Sequence, residues 1–103
     1  MTRSYILSKG AAADIQEIAR YTLKQWGKTQ CQTYIAELEA KADTLAIGEG
    51  IFKDMGIVLP GLRMAICGSH YIFCMPRQNA PAIILAILHE RMDMLTRLKG
   101  RLT

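Results

Sequence analysis

The segment that decides the fold is LRMAICGSHYIFCM, residues 62–75. On each side of Gly68 and Ser69 the residues follow a period of two, which indicates two β-strands joined by a two-residue turn. Gly68 suits the first central position of a type II′ turn, because that position needs a positive φ. The segment therefore predicts a β-hairpin with a defined register, in which the facing pairs are Cys67 with His70, Ala65 with Ile72, and Arg63 with Cys74.

The predicted register gives the hairpin two chemically different faces. One face is wholly apolar and must be buried, most simply under the helical hairpin that precedes it in the chain; it carries Leu62, Met64, Ile66, Tyr71, Phe73 and Met75. The other face places Arg63 and His70 among small and apolar residues. We expect this mixed face to be covered by a partner or by the C-terminal helix.

Two helices are predicted before the hairpin. A short strand over residues 3–8 ends at Ser8, a residue type that caps helices, and the first helix then runs through Trp26 to a stop at Gly27. A capping-box pattern at residues 29–32 and an amphipathic stripe predict a second helix, which ends at Gly48. So short a connection predicts an antiparallel helical hairpin. Trp26 and the methionines are interpreted as core residues.

The segments around and after the hairpin complete the predicted fold. Residues 57–59 are expected to form a short extended piece, and residues 82–88, which are apolar throughout, predict a strand covered on both faces. A terminal helix is expected to present Met92, Leu95, Leu98 and Leu102 on one side. The prediction is a single α+β domain over residues 1–103 with the order β-α-α-β-β-β. Its sheet is dominated by antiparallel pairs and covered on one face by the helical hairpin, with a C-terminal helix or tail.

Composition limits the class of protein. The chain has 103 residues, 3 cysteines and a net charge of +4. Its longest apolar run has seven residues, whereas a membrane span needs about 20. No signal-peptide pattern is present at the N-terminus, so we expect reduced thiols and a cytoplasmic location without membrane association. Five of the 13 basic residues lie after residue 76, whereas the helical stretch over residues 9–47 is neutral. This distribution favours an acidic protein partner over direct binding of nucleic acid, and a basic C-terminus that is only solvated fits the charge equally well.

The residues that could carry chemistry form no strong motif. Cys67, His70 and Cys74, with His89 downstream, superficially resemble metal ligands, but only Cys67 and His70 are predicted neighbours. Neither a nucleophile motif nor a glycine-rich phosphate loop is present in the sequence. We therefore expect no metal, no cofactor and no catalytic residue. His89 ends the predicted central strand, where a functional role and a structural pairing with Glu90 are equally compatible with the sequence.

Six segments, which run in order through nearly the whole chain, resemble the ParE toxins of the RelE/ParE superfamily of bacterial toxin–antitoxin modules. The most specific of them is the run Ile-Leu-His-x-Arg-Met-Asp at residues 87–93, followed by Arg97-Leu98. The other five lie at residues 13–21, 26–27, 34–38, 60–63 and 70–73. One departure is Cys74, where the family often has tyrosine after His-x-Ile-Phe, so a role for a tyrosine hydroxyl does not transfer.

The resemblance implies a toxin that inhibits DNA gyrase by protein–protein binding and is neutralised by a cognate antitoxin. It also implies a functional surface at which Arg63 would meet an antitoxin carboxylate, since a guanidinium can bind a carboxylate through two hydrogen bonds. The positions implied at this antitoxin- or target-binding surface are Arg63, His70, His89, Arg91 and Arg97.

Two other functions are weighed against gyrase inhibition. A RelE-like, ribosome-dependent mRNA endonuclease could use Arg63, His89 and Arg91 to stabilise a phosphorane and transfer a proton. The neutral helices and the lack of an aromatic residue after Phe73 disfavour this alternative. The third possibility is an inactive toxin that only binds its antitoxin.

Overall fold

The computed structural model describes residues 4–102, so Arg3, the first residue of the expected N-terminal strand, lies outside the described part. The elements are β1 (Tyr5–Leu7), α1 (Lys9–Trp26), α2 (Lys28–Ala46), β2 (Lys53–Asp54), β3 (Arg63–Cys67), β4 (His70–Arg77), β5 (Ala80–His89) and α3 (Met94–Leu102). They build one five-stranded sheet in the order β1-β5-β4-β3-β2, in which β1 is parallel to β5 and the other neighbours are antiparallel. The predicted α+β order is confirmed.

One strand differs from the prediction. The extended piece expected at residues 57–59 is wrong: these residues form turns, in which the Val58 and Leu59 amides donate to the Met55 carbonyl. The extended segment is the two-residue β2, which pairs with β3.

Capping residues set the ends of the helical hairpin. The Ser8 hydroxyl accepts a hydrogen bond from the Ala11 amide at 3.0 Å, as its cap position predicts. Gly27, with a φ of +90°, is both the C-cap of α1 and the N-cap of α2. Because α2 already begins at Lys28, the capping box expected at residues 29–32 is wrong. The chain reverses at this glycine without a side-chain cap. Among the described residues, no helix is long and apolar enough to cross a membrane.

The β3–β4 hairpin has the predicted register. Cys67 pairs with His70, Ala65 with Ile72, and Arg63 with Cys74. Gly68 has a φ of +56°, as the turn requires. A Cβ atom at Gly68 would lie 2.7 Å from the Tyr34 ring, so this position needs glycine for close packing as well as for its backbone angle.

The two faces of the sheet are covered in the opposite way to the prediction. The helical hairpin packs on the mixed face, where Ala65, Cys67 and Ile72 join one core with Leu38 and other residues of α1 and α2. The wholly apolar face is covered instead by α3 and by residues 55–59. The central strand β5 contributes to both cores, as expected for an apolar strand covered on both sides.

The side chain of Arg63 explains why helices can cover the mixed face. Its Nη1 donates to the carbonyl of Leu45 at 3.1 Å, and its guanidinium lies 5.2 Å from the centre of the Phe52 ring. The C-terminal end of a helix offers free carbonyl groups and a partial negative charge, which together satisfy a cation. The positive charge is therefore paired inside the fold rather than left for another element to cover.

The last helix begins later than its apolar pattern suggests. The Asp93 side chain accepts hydrogen bonds from the amide and the hydroxyl of Thr96, so α3 starts at Met94. Leu98 is buried, whereas Met92, which precedes α3, and Leu95 are 43% and 50% exposed, so the expected apolar side of this helix is only partly covered and Met92 is not a core residue.

An ion pair between α1 and α3 covers a free edge of β5. β1 pairs with β5 only as far as Ile84, which leaves the next residues of β5 without a neighbouring strand on the side away from β4. The Asp14 carboxylate accepts from the Ile87 amide at 2.9 Å, and Arg101 donates to the Leu85 carbonyl at 3.0 Å. Arg101 and Asp14 also bind each other through two hydrogen bonds, of 2.7 and 3.0 Å. This pair joins the two layers that lie on opposite faces of the sheet.

We expect Arg101→Ala or Asp14→Asn to lower the free energy of unfolding by about 2–4 kcal/mol, because either change leaves a mostly buried polar partner unsatisfied. Urea unfolding measures the loss, and Lys99→Ala on the exposed side of α3 is the matched control, expected to change stability by less than about 0.5 kcal/mol. Equal midpoints for Arg101→Ala and Lys99→Ala would contradict the role of the pair.

Gly10→Ala should also destabilise the fold, since the new Cβ would lie 2.5 Å from the Arg101 guanidinium.

Candidate functional site

A groove lies where the helical hairpin extends past the ends of β4 and β5. Its volume is about 540 Å³. Three of the five residues implied at a functional surface line it, namely His70, His89 and Arg91. The remaining lining residues are Glu17, Ile18, Tyr21, Thr22, Trp26, Gln30, Tyr34, Ser69 and Met92.

The rim of the groove is aromatic and exposed. Trp26 is 70% exposed and Tyr21 is 64% exposed, so the interpretation of Trp26 as a core residue is wrong. Thr22 and Ile18, one turn and two turns earlier on α1, are buried, so the side chains become exposed only towards the C-terminal end of the helix. Large exposed aromatic side chains around a groove are typical of a surface that binds another molecule.

The floor of the groove is a hydrogen-bonded network centred on Tyr34. The Tyr34 hydroxyl lies 2.6 Å from Nδ1 of His70 and 3.1 Å from the Cys67 carbonyl, and it accepts from the Ser69 amide at 3.3 Å. His70 and His89 are paired across β4 and β5, and their rings are nearly perpendicular with centres 5.2 Å apart. The network ties α2 to the turn of the β-hairpin and holds both imidazole rings at the groove.

Burial keeps the groups of this floor uncharged. Burial, and then the neighbouring His89, lower the pKa of His70 below its usual value of 6.5. Burial likewise raises the pKa of Tyr34 above 10.0 and the pKa of the Cys67 thiol above 9.0. At neutral pH the floor therefore presents a neutral imidazole at His70 and a phenol at Tyr34. Such groups donate and accept hydrogen bonds without attracting or repelling a net charge.

The other two implied residues lie away from the groove. Arg63 is the first residue of β3, five positions before Gly68 of the turn, and its guanidinium binds the end of α2. Arg97 is exposed on α3, the helix that covers the opposite face of the sheet. The structure thus brings together His70, His89 and Arg91, and separates them from Arg63 and Arg97.

The superficial metal pattern does not assemble. Cys67 and His70 are neighbours across the hairpin, as predicted, but Cys74 pairs with Arg63 at the far end of β3. Burial raises the pKa of Cys74 to about 11, which makes the thiolate that binds metals unfavourable. Over residues 4–102, no group of three or more histidine, cysteine, aspartate or glutamate side chains could hold a metal ion.

Sequence reasoning misses Tyr34, Tyr21 and Trp26 as residues of the site. The sequence places Tyr34 on the apolar stripe of α2, and its ring does pack on a core. Its hydroxyl reaches the groove only because the turn at Gly68 lies directly against the ring, a contact 34 residues away in the chain. A glycine followed by a small polar residue at the turn is the only signal in the sequence, and it does not identify the partner.

Comparisons with known proteins agree on one family. The model for the ParE toxin of the type II toxin–antitoxin system parDE matches residues 5–94. The chain is 54% identical to Toxin ParE of Escherichia coli over 99 residues, which cover 96% of each chain. It is 32% identical to Toxin ParE1 of Mycobacterium tuberculosis over 94 residues, covering 91% of this chain and 96% of the relative.

A solved structure is similar in fold. The chromosomal ParDE toxin–antitoxin system from P. aeruginosa contains a chain that superposes with a TM-score of 0.66, covering 85% of this chain and 96% of that one. The sequence identity is 16%, so the likeness concerns the fold alone.

We expect the stability of the isolated chain to fall as the pH drops below about 6.5, the unfolded value for His70. The lowered pKa of His70 means that the unfolded state binds its proton more readily, so the stabilisation is complete above that pH and is lost on acidification. Urea unfolding between about pH 7.5 and pH 5.5 measures the loss. His70→Asn keeps a nitrogen for Tyr34 without titrating, and its stability should depend less on pH; equal pH dependence of the two proteins would contradict this assignment.

Proposed function

We propose that this chain, which belongs to the ParE toxin family of type II toxin–antitoxin systems, inhibits DNA gyrase by protein–protein binding and is neutralised by a cognate antitoxin. The observation that carries the antitoxin part of the proposal is the groove with its exposed aromatic rim and uncharged floor, whereas gyrase as the target rests on the resemblance to the ParE toxins. It supplies hydrogen bonds and apolar surface, which suit recognition of a protein. A gyrase inhibitor acts in the cytoplasm, and we place the chain there.

The groove has the composition of a protein-binding surface. Tryptophan, tyrosine and arginine dominate the energy of protein interfaces, and all three line this groove as Trp26, Tyr21 and Arg91. The partner that we propose for it is the antitoxin. The similarity in fold to a chain of a ParDE toxin–antitoxin system supports a partner of this kind.

The placement of the arginines weighs against the endonuclease alternative. That mechanism needs Arg63 beside His89 and Arg91, whereas Arg63 donates to the end of α2 and only the other two line the groove. The neutral charge of the helical hairpin also disfavours a grip on ribosomal RNA. We therefore favour action by binding without a catalytic step.

Arg63 and Arg97 are proposed as contacts outside the groove. Arg63 is partly exposed at the end of α2, where its remaining donors can meet an antitoxin carboxylate. Arg97 lies on the basic α3 and is a candidate contact for gyrase.

We expect the purified chain to inhibit gyrase supercoiling and to trap cleaved DNA, while mRNA in a translating extract stays intact. Titration of gyrase with the chain, with and without the antitoxin, measures both parts of the proposal. Unchanged gyrase at saturating toxin would contradict gyrase as the target. Cleaved mRNA with unaffected gyrase would establish the endonuclease instead. A chain that neither inhibits gyrase nor cleaves mRNA, but still binds the antitoxin, would be an inactive toxin.

We expect Trp26→Ala to weaken antitoxin binding about 10-fold to 100-fold with little change in stability, because an exposed indole on the groove rim contributes to binding rather than to folding. Leu23→Ala is the matched control: Leu23 is 52% exposed on the same turn of α1 but does not line the groove. Calorimetric titration of each variant with the antitoxin measures the difference. Equal affinities for the two variants would exclude the groove rim from the interface.

A further inference from the structure

The two histidines of the groove are each fixed through Nδ1. The Arg91 amide donates to Nδ1 of His89 at 3.1 Å. A neutral imidazole carries one proton, so the acceptor role of Nδ1 places that proton on Nε2. His89 therefore offers an N–H donor at its remaining ring nitrogen.

The contacts of Tyr34 favour the opposite tautomer for His70. Tyr34 has a single hydroxyl proton, which it can donate to the Cys67 carbonyl at 3.1 Å, and its oxygen accepts from the Ser69 amide at 3.3 Å. The same oxygen lies 2.6 Å from Nδ1 of His70, a contact whose direction depends on the His70 tautomer. With the tyrosine proton on the Cys67 carbonyl, the imidazole is the donor in this contact and keeps an unprotonated Nε2, which accepts hydrogen bonds.

We propose that His70 and His89 form a recognition site for a primary carboxamide, the side chain of an asparagine or glutamine of the antitoxin. The carboxamide oxygen accepts from Nε2–H of His89, and its NH₂ group donates to Nε2 of His70. The site lies on the surface assigned to the antitoxin above, so the inference rests on that proposed function. It goes further by naming the chemical group that the surface recognises.

The hydrogen-bond pattern selects against other groups. A carboxylate offers only acceptors and would meet the lone pair of His70, whereas an ammonium group offers only donors and would meet the N–H of His89. A trans peptide group points its N–H and C=O in opposite directions and cannot present both to one pair. A primary carboxamide presents both on one edge, and two hydrogen bonds of about 2.9 Å each can bridge rings whose centres are 5.2 Å apart.

The surroundings of the pair favour an uncharged occupant. The ionisable groups that act on His70 come from three sides: Asp14 on α1, Tyr34 on α2, and His89 with Glu90 at the end of β5. Burial outweighs them and keeps the His70 ring neutral at neutral pH. The exposed ring of Trp26 adds apolar surface from the rim, which can exclude water from an inserted side chain. A neutral group with a donor and an acceptor fits this environment at the lowest desolvation cost.

Nitrogen-15 NMR of the histidine side chains in the free chain at neutral pH tests the tautomers directly. The expected result is protonation of His70 at Nδ1 and of His89 at Nε2. The same tautomer on both rings would overturn the proposal, whatever the partner is.

Calorimetric titration with the cognate antitoxin then tests the contact. His89→Asn keeps an oxygen for the Arg91 amide and removes the position of Nε2, whereas the matched His89→Gln keeps a donor at that position. His70→Asn likewise keeps the nitrogen that faces Tyr34 and removes Nε2. We expect the two asparagine variants to weaken binding about tenfold each, and His89→Gln to stay within about threefold of the wild type.

The outcomes distinguish a failure of the carboxamide site from a failure of the proposed toxin–antitoxin function. Antitoxin binding that is unchanged in both asparagine variants would overturn the carboxamide site and leave the toxin–antitoxin function intact. A wild-type chain that does not bind the antitoxin would overturn the proposed partner, and with it this site. Tight wild-type binding, a loss in His89→Asn and recovery in His89→Gln would support the proposal.

Discussion

The ion pair between Asp14 and Arg101 is the contact on which the two-layered architecture depends. It supplies hydrogen bonds to the part of β5 that β1 is too short to cover, and it joins the helical hairpin on one face of the sheet to α3 on the other. Because the pair also hydrogen-bonds the Ile87 amide and the Leu85 carbonyl, these backbone groups are satisfied inside the fold without water. Gly10 makes the approach possible, since the guanidinium lies where a larger residue would place its Cβ.

The hairpin register and the order of elements are predictable because they depend on local rules. The positive φ needed at Gly68 and the alternation around it determine which residues pair, and the Ser8 cap and the apolar run of β5 depend on neighbours in the sequence. The sequence does not determine which face of the sheet meets which helices. The positive charge of Arg63 argues against burial of its face of the sheet under helices. In the structure, however, a carbonyl group at the C-terminal end of α2 accepts its hydrogen bond. That outcome depends on a contact between residues 18 positions apart.

The candidate site is predictable in part for the same reason. His70 and His89 come together because they are register partners at the end of β4 and β5, and the family resemblance marks both. Tyr34 and Trp26 cannot be assigned from the sequence, since an amphipathic stripe does not say where the sheet beneath a helix stops. Ile18 on this stripe is buried and Trp26 is exposed, although both fit the helical period. The position along α1, rather than the pattern of the helix, separates the buried Ile18 from the exposed Trp26.

The chemistry of the groove suggests how a small basic toxin can recognise a partner selectively. Its basic residues attract acidic proteins in general, which raises encounter rates but discriminates weakly. Discrimination requires a group that is penalised when the wrong partner binds, and a half-buried donor–acceptor pair is such a group, because a mismatched side chain leaves it unsatisfied. In the proposed site, Tyr34 makes the pair asymmetric by favouring the proton of His70 on Nδ1, the nitrogen that faces Tyr34. Tyr34→Phe would therefore leave the aromatic groove in place and remove the hydrogen bond to His70 on which the proposed selectivity depends.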